Sequence, residues 1–380
     1  MSRKTFGRNP DGTYNRKTFY GSTAAEAAQK LNDYEKQVND GLNADADALT
    51  VEQWLRIWLR EYKYQVLRPH TYDTYEQFID NSIVPAAFSK YKLLKLRPEH
   101  LQAYVNGLKK ENGEPFSLSS IKQLKCILNG AFGQALKNGL ITKNPVDALS
   151  LPKTSGKRKI GAFTKTEQSA LLSALEGHRL YPLFVLALGI GMRIGELLAL
   201  KHSNINWDNR EITVEGSASR SKDRNDNGDV VEGQAKSSVK IGAVKTDSGF
   251  RVVPMTNEVV QVLQKHKKDQ AAERLSAGSA WSNNDFVFCT ALGGQLEYRN
   301  VVRLYSARRD AAGISSLPFH SLRHSFATNA IAAGMDYYYL SRIMGHANIS
   351  LTLDTYTDFM PDKSRSEMSK MEGLMSLKFA

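Results

Sequence analysis

Apolar positions along the chain follow two regimes. From Thr50 to Leu149 they recur every three to four residues with no strand-like alternation, which predicts helices from Val51 to Tyr64, His70 to Ile79, Pro98 to Leu108 and Ser119 to Asn138. Together these read as a helical bundle. Ahead of it, residues 3 to 20 read as a hairpin around the turn Asn9-Pro10-Asp11-Gly12, with aromatics at Tyr14, Phe19 and Tyr20. Ser22 and Thr23 can cap a helix from Ala24, on which Ala27, Leu31, Tyr34 and Val38 keep helical spacing until Gly41. Beyond Phe163 the regime is mixed. Thr164-Lys165-Thr166-Glu167 has capping-box spacing, and helical periods then alternate with short strand-like runs from Ile205 to Trp207, Glu211 to Val214, Val239 to Val244 and Arg251 to Pro254. Between Leu317 and Gly334 the residues Leu322, Phe326, Ala330 and Ile331 again recur at helical spacing.

Three stretches escape these periods or stand apart from them. Leu151 to Lys159 is polar and basic, and reads as a linker between domains. Ser217 to Ser238 is a polar insertion whose basic and acidic residues balance, with Asp226-Asn227-Gly228-Asp229 as a turn, and it is expected to be mobile. After Ser364, the residues Met368, Met371, Leu374, Met375 and Leu377 predict an amphipathic helix, suited either to its own domain or to a neighbouring protomer.

Composition narrows the function classes. A chain of 380 residues with 41% hydrophobic content has room for two or three cores. Lys and Arg number 51 against 39 Asp and Glu, a net charge of +12 that favours a polyanionic partner, although a basic protein without one has the same composition. No window of about 18 apolar residues occurs and the first residues lack an apolar run, so a soluble, unsecreted, cytoplasmic protein without a membrane partner is expected. Cys126 and Cys289 both read as buried thiols of a reducing compartment.

The candidate chemistry sits late in the chain. His320, Arg323 and His324 fall one turn apart on a helix, so a guanidinium fork and imidazoles can point to one place, which suits a phosphate or carboxylate. A second arginine stands in Gly191-Met192-Arg193-Ile194-Gly195-Glu196, at a helix start that itself favours anions. Gly189-Ile190-Gly191 is no dinucleotide fingerprint, because position 194 is Ile and no alternating strand precedes it; no phosphate loop of the Gly-Lys-Ser/Thr type occurs either.

Gly-x-Arg-x-Gly-Glu at 191–196, Lys245-Thr246 before Arg251-Val252-Val253-Pro254, His320-x-Leu322-Arg323-His324, Gly345-His346 and Tyr356 together resemble the catalytic half of the tyrosine recombinases, the lambda-type phage integrases. The layout is most similar to the integrases of phages and conjugative transposons. The resemblance implies a multidomain, mainly α architecture: a small β+α arm-binding domain over 1–45, a helical core-binding domain over 48–151, a basic linker over 152–162, and a mixed α/β catalytic domain over 163–380. It implies site-specific recombination of a mobile element through a covalent 3′-phosphotyrosine and a Holliday junction, without cofactor or metal. Arg193 and Arg323 would grip the non-bridging oxygens and Tyr356 would attack phosphorus. Lys245 would protonate the leaving oxygen, His320 would assist proton transfer, His346 would bond the phosphate, and Glu196 would orient its neighbours. Lys236 and Lys240 are rivals of Lys245 but lack its Lys-Thr setting.

Double-stranded DNA at core and arm sites would be the partner, with a homotetramer on paired sites and an excisionase or host DNA-bending protein as accessories. A basic cluster including Arg16 and Lys17 would meet arm DNA; Ser119, Lys122 and Lys125 would lie on the core duplex, and Lys157, Arg158 and Lys159 would cross it. When DNA-bound, such a protein would be associated with the bacterial nucleoid. Three other readings remain at this point: a type IB topoisomerase using the same chemistry, a metal-dependent nuclease with His320, His324, His346 and Glu196 as ligands, and a non-catalytic DNA-binding regulator.

Overall fold

The computed structural model describes residues 1–8, 13–39, 49–109, 113–152, 161–231, 237–243 and 249–356. The chain forms two compact units. One comprises Met1–Lys157 with Ser221–Ser237, the other Arg158–Arg220 with Ser238–Ala380.

In the first unit, strands β1 (Ser2–Arg8) and β2 (Tyr14–Phe19) pair antiparallel, with Lys4 opposite Lys17 and Thr5 opposite Arg16. Helix α1 (Ala24–Asn39) places Tyr34 against both strands: its ring lies 5.1 Å from Phe6, edge-on, and 5.3 Å from Phe19. The bundle follows as α2 (Val51–Ile57), α3 (Pro69–Phe78), α4 (Pro98–Gly107) and α5 (Leu118–Lys137). Thr50 and Gln53 close a capping box on α2, and Ser117 caps α5.

The helix expected to run unbroken to Tyr64 passes into a π-helical turn at Trp58–Lys63, whereas α3 ends within one residue of the expected Ile79 and then continues through a second π-helical turn, Ile79–Ile83. A wider turn re-phases the side chains that follow it. Trp58, Leu59, Ile79 and Ile83 all lie in the core beside Leu124, Leu128 and Phe132. The Trp54 indole, also buried, donates to the Ala131 carbonyl of α5 at 2.9 Å. Cys126 corrects an expectation: it is exposed, because its place on α5 lies off the stripe of Leu124, Ile127 and Leu128. Cys289 is buried.

The insertion corrects another. Its first residues extend a strand, and the described part that follows, up to Val231, is fastened within the first unit. The Arg224 guanidinium bonds Asp73 at 2.8 Å and Glu76 at 2.7 Å, and lies 4.7 Å over the Tyr72 ring. Lys222 reaches Glu76 at 2.5 Å, its amide donates to Asp73, and the Tyr64 hydroxyl donates to the Asn225 carbonyl at 2.7 Å. Charge balance inside the segment gave no sign of acidic partners about 150 residues upstream.

The second unit opens with α6 (Lys165–Leu175), capped by Thr164 and Glu167 as expected, then α7 (Tyr181–Gly189) and α8 (Ile194–Ala199). Strands β3 (Ile205–Asn206), β4 (Glu211–Val214) and β7 (Arg251–Pro254) form one antiparallel sheet in the order β3-β4-β7, with Ile212 opposite both Ile205 and Val253. A separate ribbon pairs β5 (Gly216–Ser221) with β6 (Ser238–Ala243). Helices α9 (Asn257–Ala277), α10 (Tyr298–Ala311), α11 (Ser321–Ala332), α12 (Tyr337–Met344) and α13 (Ile349–Tyr356) complete it. Its core gathers Leu183 and Phe184 of α7, Leu263 of α9, Val301 and Tyr305 of α10, Phe319, and Leu322 of α11. The linker residues 153–160 and the expected helix after Ser364 lie outside the described residues. Among the described residues no helix is long and apolar enough to cross a membrane.

Candidate active site

The site begins where α7 ends. Gly191 has φ +64°, and a Cβ there would stand 2.4 Å from Cδ1 of Phe326, so the tight approach of this corner to α11 admits no side chain. Two residues on, Arg193 is the N-cap of α8. Glu196 reaches back to accept from the Arg193 amide at 2.9 Å and from its Nη1 at 2.8 Å. Glu196 is 3% exposed. Burial alone would raise its carboxyl, but the hydrogen bonds and charge of Arg251, then the charge of Arg193, more than reverse this and hold it at about 2.

Arg323 sits in the first turn of α11, just after His320 at the N-cap, and is 3% exposed. Its Nη1 donates to the Gly191 carbonyl at 2.6 Å and its Nη2 to the Met344 carbonyl. The rings of His320 and His324 meet edge to face at 4.7 Å. Desolvation first, then the charges of Arg323 and Arg193, keep the His320 ring below its ordinary range; His324 is pushed to about 4 by desolvation, His320 and Arg323.

Helix α12 starts at the cap Asp336 and ends on Gly345 in the left-handed conformation, φ +63°. Its C-terminal carbonyls carry three arginines. Arg251 Nε donates to Ile343 at 2.6 Å, Arg323 Nη2 to Met344, and Arg193 Nη2 to Gly345 at 3.1 Å. The partial negative charge of a helix C-terminus is a suitable acceptor for cations. His346 follows, its Nδ1 2.7 Å from Oγ1 of Thr352, which is fully buried on α13. Desolvation, then Arg323, Arg193, Arg251 and His320, depress its pKa to about 4. Tyr356 ends α13, one turn after Thr352. Lys245 lies outside the described residues, between β6 and β7 in sequence. Arg193, Glu196, Arg323, His320 and His346 are thus drawn together by three helix termini.

Residues 162–362, more than half of the chain, match the phage integrase family model, and 50–109 match the N-terminal SAM-like domain of phage integrases. The chain belongs to the phage integrase family. Like other members, this recombinase is an enzyme that breaks and rejoins DNA strands. It is 30% identical to a XerC-like tyrosine recombinase of Caldanaerobacter subterraneus over 97% of this chain and 95% of that one. It is 23% identical to the transposase of transposon Tn916 from Enterococcus faecalis, over 90% and 82% of the two chains. Its fold is similar to that of the Tn1549 transposon integrase bound to transposon right end DNA, with a TM-score of 0.66 at 24% identity over 85% of this chain and 99% of that one. A lambda integrase tetramer bound to a Holliday junction matches with a TM-score of 0.58 at 19% identity, over 90% and 93%.

Outside the catalytic corner, the expected DNA-facing residues divide. Arg16 is exposed and lies 5.2 Å over the Tyr14 ring, while Lys17 opposite Lys4 is half-buried. Lys122 of the recombinase is exposed on α5 and the Ser119 hydroxyl meets Ser117 at 2.8 Å. The Lys125 ammonium donates to the Leu149 carbonyl at 2.7 Å, so it serves the bundle. Lys157, Arg158 and Lys159 lie outside the described residues.

Sequence reasoning gave Arg251 no role. One signal was present: in the run Arg-Val-Val-Pro, strand alternation that buries Val253 also turns Arg251 inward, and a buried guanidinium needs an acidic partner. The carbonyls of 343–345 leave no trace in a sequence, because every residue has one.

Proposed function

We propose that the recombinase integrates and excises a mobile element, cutting each strand through Tyr356. One observation carries the reading: Arg193 and Arg323 donate to adjacent carbonyls, Gly345 and Met344, immediately before His346 and the helix that ends at Tyr356. Two fixed positive charges just ahead, along the chain, of a helix that ends on a potential nucleophile suit a phosphodiester, whose displacement depends on positioning and on stabilising charge at the non-bridging oxygens.

In this reading the Tyr356 hydroxyl attacks phosphorus and loses its proton to a neighbouring base, for which His320 is the candidate. A desolvated imidazole held neutral near pH 7 can accept it. The bond from phosphorus to the 5′ oxygen breaks, Lys245 protonates that oxygen, and a 3′-phosphotyrosine remains. The ester conserves the bond energy, so rejoining by another 5′ hydroxyl requires no ATP. Arg193 and Arg323 hold the non-bridging oxygens, and His346, engaged through Nδ1 by Thr352, has Nε2 to offer the phosphate. Glu196 is bidentate to Arg251 and bonded to Arg193, which leaves it poorly placed to serve a metal.

The domain reading goes with it: arm binding by 1–45, core binding by 48–151, a linker over 152–162, and catalysis by 163–380. Exposed Arg16 and Lys122 are the candidates to meet phosphate backbone, and a homotetramer on paired sites completes strand exchange, with an excisionase or host bending protein setting its direction.

The test is covalent trapping in EDTA: nicked duplexes from DNA flanking the gene, resolved on denaturing gels, with Tyr356→Phe alongside. A labelled adduct with wild type, lost in the Phe variant, is expected. Free cut ends that need added metal and persist in Tyr356→Phe would overturn the reading.

A further inference from the structure

Of the three arginines on the α12 terminus, two are the proposed phosphate grips; Arg251 is the third. It opens β7 with a side chain 6% exposed, too enclosed to reach a duplex. Its Nη1 and Nη2 bond the two oxygens of Glu196 at 3.1 and 2.8 Å, its Nε bonds the Ile343 carbonyl at 2.6 Å, and Nη1 also bonds the Gly249 carbonyl at 3.2 Å. These four bonds join the α8 terminus that bears Arg193, the stretch following Lys245, and the corner leading to His346 and α13.

We infer that Arg251 is a positioning residue for strand cleavage, acting through Glu196 on Arg193. The oxygen of Glu196 that takes Nη1 of Arg251 is the one that takes Nη1 of Arg193. While Arg251 shares that carboxylate, the Arg193 guanidinium keeps part of its charge and its donors for an incoming phosphate. Without Arg251, a buried carboxylate has Arg193 as its remaining cation, and the tighter pair draws that fork away from the phosphate. The Ile343 bond meanwhile fixes the carbonyl one residue before the acceptor of Arg323.

The inference rests on the reading that Arg193 grips the scissile phosphate, and the experiment separates the two. Single-turnover adduct formation on a nicked duplex is followed at saturating full-length protein. Rate constants are read apart from final amplitude, which reports the folded fraction, and non-covalent affinity is measured in the Tyr356→Phe background. Arg251→Met is expected to slow adduct formation about a hundredfold, the scale of one lost electrostatic contact, with affinity within about threefold of wild type. Arg251→Lys, which retains charge without the fork, serves if the Met variant does not fold, and is expected to fall about tenfold or more. Two further arms exclude a purely structural role. Glu196→Gln added to Arg251→Met should recover rate, since a neutral amide no longer holds Arg193. In an Arg193→Lys background, Arg251→Met should add less than about a threefold loss, as residues acting through one another do.

Loss of amplitude with an unchanged rate constant would make Arg251 a scaffold residue and overturn the inference, as would full additivity with Arg193→Lys. If Arg193→Lys itself cleaves at the wild-type rate, the underlying reading falls instead.

Discussion

Gly191 carries two constraints at once, a left-handed backbone and contact with the Phe326 ring. An L side chain in that backbone region costs about 1–2 kcal/mol, and forcing a methyl group into a filled space adds about 1–3 kcal/mol. Gly191→Ala is expected to lower unfolding free energy by about 2–5 kcal/mol in denaturant titration, the sum of those two costs. In a double-mutant cycle, Gly191→Ala made in a Phe326→Ala background should cost only the backbone part, about 1–2 kcal/mol, and a cost there as large as in the wild type would contradict the assignment. At this scale the sequence was legible where a residue type is rare for its place. Arg193, Arg323 and Glu196 stood out in their motifs and converge in the fold. Arg251 was visible as a letter, while its role depends on Glu196, 55 residues away, entering the same pocket.

At the scale of elements, local signals did well and distant ones did not. The capping box at Thr164 and Pro98 at a helix start were read and mark where α6 and α4 begin; the box at Thr50 and Pro69, which mark α2 and α3, are signals of the same local kind. The π turns after α2 and α3 were hidden, since the buried residues that lead into and lie within them, Trp54, Leu55, Trp58 and Leu59, and Ile79 and Ile83, still fall at α-helical spacing. The insertion was misjudged for a related reason. Polar composition resembles a loop whether or not its charges find partners, and Arg224 finds Asp73, Glu76 and the face of Tyr72. Removing one member of such an enclosed group leaves the others uncompensated, at a cost of about 3 kcal/mol. Arg224→Met should therefore destabilise the first unit and expose residues 222–231 to limited proteolysis. Cleavage there at the wild-type rate would show that these bonds do not hold the segment.

For the whole molecule, acidity ties folding to DNA. His324 and His346 titrate at about 4 in the folded protein, against an ordinary 6.5, so the unfolded chain binds more protons between those values. Stability is then fully present above pH 6.5 and declines as pH falls toward 4. Glu196, depressed to about 2, adds a contribution that holds above its ordinary 4.5 and is lost as pH falls toward 2. A phosphate placed among Arg193, Arg323 and His346 opposes the charges that depress the imidazole. DNA binding near pH 6 should therefore take up a fraction of a proton, read as a binding heat that changes with the ionisation enthalpy of the buffer. His346→Gln should reduce that uptake, and identical heats in all buffers would refute the coupling. The motifs already set His320, His324 and His346 beside Arg193 and Arg323, but how far burial and those charges would depress each imidazole depends on packing that the sequence does not display.

The three guanidiniums on carbonyls 343, 344 and 345 also bear on how such a site can change over generations. A main-chain acceptor is supplied by any residue, so positions 343 and 344 are free to exchange aliphatic side chains within the volume their neighbours allow. The heavy constraint falls elsewhere, on the three arginines and on a left-handed residue at 345. Relatives that have drifted widely along α12 could thus keep the same catalytic corner, and a designer seeking to alter the surface of α12 could do so without disturbing the groups that would meet the phosphate.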